Sequence, residues 1–417
     1  MIRMRPFDKM SYSELRNEYL KQLVAAGAVA FDEQDVVGTT EKTQEKTRKK
    51  TANSLKLLED PNFKYDKLKD FLYPDGKICK ENLQRLLAGP REAPVSLGGN
   101  GPWDSLRKYF EQMIDTLGIP KDSEIKACKE LFKYRCLNYK KGGQKESTSY
   151  WLQRQLGVKV CPYCNRMYTT TLFGKNNIRP DFDHFYPKSK YPYLAASLFN
   201  LIPSCSMCNR KKGDAAEIFA IENSENVNII YPYEESFDDP HGQISFRVIS
   251  SKKKAMTGQS NEFTIELQPK RHSDKLQFDN TGGILSETDV ETRFGHKIKS
   301  SLEGKENDEA KRESQFWDRA ETSIELLLLE SFYNEHKDEI MALFRNHYQY
   351  NQDGIELIME TLVRVRYPDA AKKDIKLAAR DMLYFAFLDH EEWGDSPLNK
   401  LKSDILDQLD EIEDTRI

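Results

Sequence analysis

No uninterrupted apolar run in this 417-residue chain approaches the roughly 18 residues that a membrane-spanning helix needs. The first twenty residues, MIRMRPFDKMSYSELRNEYL, contain no apolar signal core. Secretion and membrane insertion therefore lack sequence support, and the expectation is a cytoplasmic protein with no membrane partner. The Gly- and Pro-dense stretch LAGPREAPVSLGGNGPW, residues 87–103, is not followed by Gly-Lys-Ser or Gly-Lys-Thr, so it reads as a loop or joint and not as a phosphate-binding loop. Nothing else in the chain supplies an ATP site. No internal repeat at a fixed period is present, which argues against a solenoid or propeller.

Cysteine is sparse and odd in number, seven in all. A full set of disulfides is thereby excluded, and in a cytoplasmic-looking chain paired cysteines favour a metal. Cys79, Cys128 and Cys136 are isolated in helix-like contexts and read as ordinary thiols.

What the chain has is charge, 31% of its residues, and a mean hydropathy of −0.72. The net −4 hides an asymmetry: residues 301–417 carry −13, which leaves +9 on residues 1–300. Residues 131–180 hold ten basic side chains against one acid, Glu146. A basic stripe of this kind suits a polyphosphate, because neutralised phosphates release condensed counterions. A solvated helical face explains the charge equally well.

The length suggests about two to four domains. Residues 1–150 read as a helical domain. SYSELRNEYLKQLVAAGAV opens with Ser11 and Glu14 at capping-box spacing, and WDSLRKYFEQMIDTLG and DSEIKACKELFKYRCL return apolar residues every three or four positions. EKTQEKTRKKTANSLK, residues 41–56, reads as an exposed helix. Residues 151–235 form a motif-bearing module. In and after it, NVNIIYPY, GQISFRVIS and NEFTIELQP alternate apolar and polar residues, which predicts a small β region over 236–285. Residues 286–417 read as an acidic helical domain, with apolar helices in AETSIELLLLESFYNEHKDEIMALFRNHY and in DIKLAARDMLYFAFLDHEEW, residues 374–393.

The chemistry is concentrated in the module. Cys161-Pro-Tyr-Cys164 and Cys205-Ser-Met-Cys208 are two C-x-x-C knuckles with forty residues between them. Such knuckles let thiolates reach one ion at about 2.3 Å, and two of them close a tetrahedral zinc site with no position left for water, so this zinc is expected to be structural. Between them lies Asp183-His184, then Asn200 after fifteen intervening residues, with Asn209 directly after the last cysteine. A carboxylate and an amide suit a hard cation such as Mg²⁺, and a histidine beside them can take a proton from water near neutral pH. These are parts for hydrolysing a phosphodiester. Lys188, Lys190, Arg210, Lys211 and Lys212 flank the set and are candidate phosphate contacts. A non-catalytic zinc module that binds nucleic acid uses the same frame, and remains an alternative.

CPYCNR, DHFYPKS, LFNLIPSC and CNRKKGD together resemble the HNH, or ββα-metal, endonucleases with a four-cysteine zinc frame. In wording they are similar to the PtuB-type nuclease subunits of Septu and retron-associated anti-phage systems. The resemblance covers residues 157–216. It implies a central ββα-metal, treble-clef-like nuclease module, which the helical reading of the flanks sets in a mostly α, multidomain protein with a small β region. It further implies that His184 is the general base, that Asp183 and Asn209 hold a catalytic Mg²⁺ or Mn²⁺, and that Asn200 pins the loop orienting the histidine. DNA, most readily double-stranded, is the implied substrate, with tRNA or other RNA the alternative. An ABC- or AAA-type ATPase is the implied partner, or the helical flanks form a homo-oligomer. The third motif position is asparagine where the family name has histidine, which favours a harder ion over Ni²⁺ or Zn²⁺.

Overall fold

The structure, a computed structural model, describes residues 1–31, 56–60, 63–140, 144–172, 178–214, 228–239, 242–250, 252–269, 308–349 and 394–414. The charged stretch 41–56, except its final residue, and the apolar helix expected over 374–393 lie outside these residues. What is described is mostly helical, with two small antiparallel sheets. No described helix is long and apolar enough to cross a membrane.

Helix α1, Tyr12–Ala26, starts where the sequence places it. Glu14 N–H donates to the Ser11 hydroxyl, the Glu14 carboxylate accepts from Ser11 N–H, and Gly27 ends the helix at φ 62°. Its inward face carries Leu15, Tyr19, Leu20 and Leu23, all essentially inaccessible. Helices α2 (Asp66–Leu72), α3 (Lys80–Ala88), α4 (Leu106–Leu117), α5 (Asp122–Leu131) and α6 (Thr148–Leu156) complete the N-terminal layer.

This layer grips the loop that precedes the second strand of the module. The Tyr19 hydroxyl donates to the Ala196 carbonyl at 2.9 Å. Tyr12 stacks on Phe199 at a centroid separation of 5.4 Å. Gly89 lies so close to Phe199 that a β-carbon there would meet the ring at 2.8 Å, and its φ of +76° also excludes most side chains.

The module is built as strand, strand, helix. β1 (Asp181–His184) pairs antiparallel with β2 (Leu201–Ser204), Asp183 opposite Ile202 and His184 opposite Leu201, and α7 (Ser206–Lys212) follows directly. Beyond it, the described part of NVNIIYPY, residues 228–233, is not a strand. The chain turns at its end, with Glu234 N–H and Glu235 N–H both bonded to the Tyr231 carbonyl. Residues 229–233 are all buried, and the hydroxyls of Tyr231 and Tyr233 bond the carbonyls of Phe199 and Leu201.

The other two segments do pair: β4 (Gly242–Ile249) lies between β5 (Thr264–Pro269) and the two-residue β3 (Asp238–Asp239). A sheet this small leaves exposed edges, and helices close them. Helices α8 (Asp308–Leu326), α9 (Leu329–Asn334), α10 (Lys337–Gln349) and α11 (Asn399–Asp414) form the C-terminal layer. Gln408 and Asn334 act as substitute strands, each accepting from a backbone N–H and donating to a carbonyl, at Val248 and Ile265 respectively.

Side chains from all four expected segments meet in one contiguous buried core. A buried ionic clasp ties three of them together. Glu235 pairs with Arg107 at 2.9 Å and with Arg319, while the Arg107 guanidinium lies 5.5 Å over the Phe185 ring. Beside it, the Glu234 carboxylate accepts from the Leu106 and Arg107 N–H groups, filling the N-terminus of α4.

Candidate functional site

The four knuckle cysteines come together. Their sulfur atoms all lie within 4.8 Å of one another and all four residues are buried. Cys164 and Cys205 sulfurs are 3.9 Å apart, close to the edge of about 3.8 Å that a tetrahedron of 2.3 Å zinc–sulfur bonds requires. The donor set fits a closed structural metal such as zinc. Hydrogen bonds from the other three cysteines pull the Cys205 thiol down toward thiolate.

The first knuckle is also a docking point. Asn165, buried at φ 51°, receives Leu398 N–H on its carbonyl and Lys400 N–H on its side-chain oxygen. Tyr333 donates to the Cys164 carbonyl, and Arg166 lies 4.6 Å over the Phe332 ring. Frame and C-terminal helices are thus one packed unit.

His184 ends β1 in a pocket that is 7% exposed. Its Nε2 lies 3.1 Å from the Ala195 carbonyl, which can only accept, so that nitrogen carries the proton and Nδ1 keeps the lone pair. Burial, reinforced by nearby Lys188, pushes its pKa down to about 3. The imidazole is therefore neutral at neutral pH. Tyr134 packs edge-on against it at 4.5 Å.

Asn200 is fully buried in the loop facing His184. Its side-chain oxygen accepts from Tyr186 N–H at 2.7 Å, and its amide donates to the carbonyls of Tyr186 and Leu194. With the Phe185 N–H to Asn200 carbonyl bond, these contacts fix the chain immediately after His184 and just before Ala195.

Asp183 is 2% exposed. Tyr163, the tyrosine inside the first knuckle, donates to one carboxylate oxygen at 2.6 Å, and the Lys212 ammonium lies 3.1 Å from the same oxygen and 3.2 Å from the other. Lys212 also donates to the His184 carbonyl at 2.8 Å and is fully buried. Two expectations are corrected here. Lys212 is no phosphate contact, because reaching solvent would strip Asp183 of its counter-charge. As arranged, Asp183 also does not fit as a ligand of Mg²⁺ or Mn²⁺: a cation that keeps several waters needs an open face, and this carboxylate is enclosed and already neutralised.

Asn209 is half-buried on α7 and, among the described residues, its side chain makes no hydrogen bond. Arg210 and Lys211 are exposed in the last turn of that helix, and Lys188 is exposed over the Tyr134 ring. Lys190 is half-buried against Tyr191. Tyr163 and Tyr134 were not singled out from the sequence. Tyr163 stands in plain view within Cys-Pro-Tyr-Cys, whereas Tyr134 lies fifty residues upstream of His184 with no local signal.

No family model and no solved structure matches this chain. It is similar to protein ea31 of Escherichia phage lambda, 34% identical over 73 residues. The likeness spans 18% of this chain and 20% of the phage protein.

Proposed function

We propose that this chain is an HNH-type endonuclease that hydrolyses phosphodiester bonds of DNA. The observation that carries the reading is the placement of His184: a neutral imidazole at the end of β1, tautomer set by the Ala195 carbonyl, in a strand-strand-helix unit bracketed by a four-cysteine frame. In this reading Nδ1 takes a proton from water and the hydroxide attacks phosphorus. The bond to the 3′-oxygen breaks with its electron pair, and that oxygen is protonated from solvent, leaving 5′-phosphate and 3′-hydroxyl ends. Asn200 fixes the loop, and the Asp183–Lys212 pair anchors β1 to α7.

The resemblance of the motifs to PtuB-type nucleases supports a role as the effector of an anti-phage system with an ATPase partner. The acidic C-terminal half, poorly suited to DNA, supports protein docking by the helical flanks.

The test is cleavage of supercoiled plasmid, phage DNA and tRNA by wild type and His184→Ala, with and without Mg²⁺ and with the ATPase partner. DNA cleavage by wild type and none by His184→Ala, with zinc content unchanged, is expected. Equal cutting by both removes His184 from the chemistry, and cleavage of tRNA alone shifts the substrate to RNA. A strict need for Mg²⁺ would show that an ion takes part, held elsewhere than on the closed Asp183–Lys212 pair.

A further inference from the structure

We infer that segment 133–138, from the N-terminal helical layer, forms a second wall of the substrate cleft. Lys133 and Arg135 hold the nucleic-acid backbone there, and Tyr134 positions the His184 ring. The inference rests on the nuclease reading and adds a binding surface to it.

Three observations converge. Residues 134–138 form a 3₁₀ turn that is firmly anchored, since Lys133 N–H donates to the Ala28 carbonyl and Cys136 N–H to the Lys133 carbonyl. From this turn Tyr134 reaches His184, its ring 4.5 Å away and tilted by 68°. Cations from separate parts of the chain meet at the same turn. Exposed Lys133 and Arg135 flank Tyr134 in sequence, Lys188 places its ammonium 5.3 Å over the tyrosine ring, and Arg179 donates to the Asn138 side chain at 2.6 Å.

A solvated helical face would scatter its charge along one element. Here Lys188 comes from a different stretch of the chain to lie over the ring that touches the proposed base, Arg179 bonds the end of the same turn, and the turn itself carries two exposed cations and no acid. The nearby exposed carboxylate is Asp181. A polyanion threaded past His184 neutralises this collar and releases counterions, which ties its affinity to salt. Tyr134, by contrast, is half-buried and meets the imidazole edge-on, so it is a positioning residue.

The test uses the full chain and a short fluorescein-labelled DNA duplex, with binding followed by anisotropy across a range of salt. The Lys133→Ala/Arg135→Ala variant is expected to bind more weakly on all sequences, and the slope of log K against log salt to become shallower by about 2. An unchanged slope and affinity overturn the binding role. Tyr134→Ala is expected to lower kcat on the order of tenfold with KM unchanged, and Tyr134→Phe to restore it. Undiminished turnover in Tyr134→Ala overturns the positioning role. If wild type cuts DNA and His184→Ala does not, yet both sets of variants behave as wild type, this inference alone fails. If wild type neither binds nor cuts nucleic acid, both readings fail.

Discussion

Asp183 and Lys212 face each other 3.1 Å apart with neither side chain open to water. The pair joins the last residues of α7 to the strand that ends in His184. Burial lowers the Lys212 pKa and the Asp183 charge opposes that shift.

Removing one partner strands the other. Lys212→Met and Asp183→Asn are each expected to destabilise the fold by about 3–5 kcal/mol, and the double variant by clearly less than the sum. Urea unfolding midpoints read this directly. Additive losses would show that the two groups are not coupled.

Asn200 satisfies three buried backbone groups at once. Asn200→Ala leaves the Tyr186 N–H and carbonyl without their partner, while the Leu194 carbonyl keeps Ser197 N–H, at an expected cost of about 2–3 kcal/mol. Cleavage should fall along with stability, because the freed loop carries the Ala195 carbonyl that sets the His184 tautomer. Retained stability with lost activity would instead assign Asn200 a direct chemical role.

Gly89 is a steric requirement of the site, although it lies outside the motif region. Gly89→Ala is expected to cost about 1–3 kcal/mol through contact with Phe199 and the left-handed backbone. Thermal unfolding checks it, and an unchanged midpoint would mean that Phe199 yields freely.

The cysteine frame predicts about one tightly held zinc per chain. Stripping it with a strong chelator should raise hydrogen exchange in residues 329–349 and 398–414 as well as in the knuckles, since Tyr333, Leu398 and Lys400 dock on residues 164 and 165. Exchange confined to the knuckles would separate the frame from the C-terminal layer.

What could be read from the sequence was local. Two C-x-x-C pairs and a capping box are spacing signals, and spacing survives without knowledge of neighbours. Lys212 was misjudged because Arg-Lys-Lys looks like a surface run. Yet it lies one helical turn beyond Cys208, which faces the metal frame, and that i to i+4 relation turns it inward. Tyr134 could not be found this way, because its contact with His184 depends on how the helical layer closes over the module. NVNIIYPY differs for a related reason: its residues 229–233 are buried on all sides, and burial does not require a strand.

Asn165 and Lys400 meet although 235 positions separate them in the chain. Closing so long a loop is entropically slow to reward, so this contact is expected to form late in assembly. The knuckle can therefore bind its ion while its outer face is still bare. A chain arrested at that stage would hold zinc and yet lack the layer that covers the frame, so metal content alone is no measure of a finished molecule.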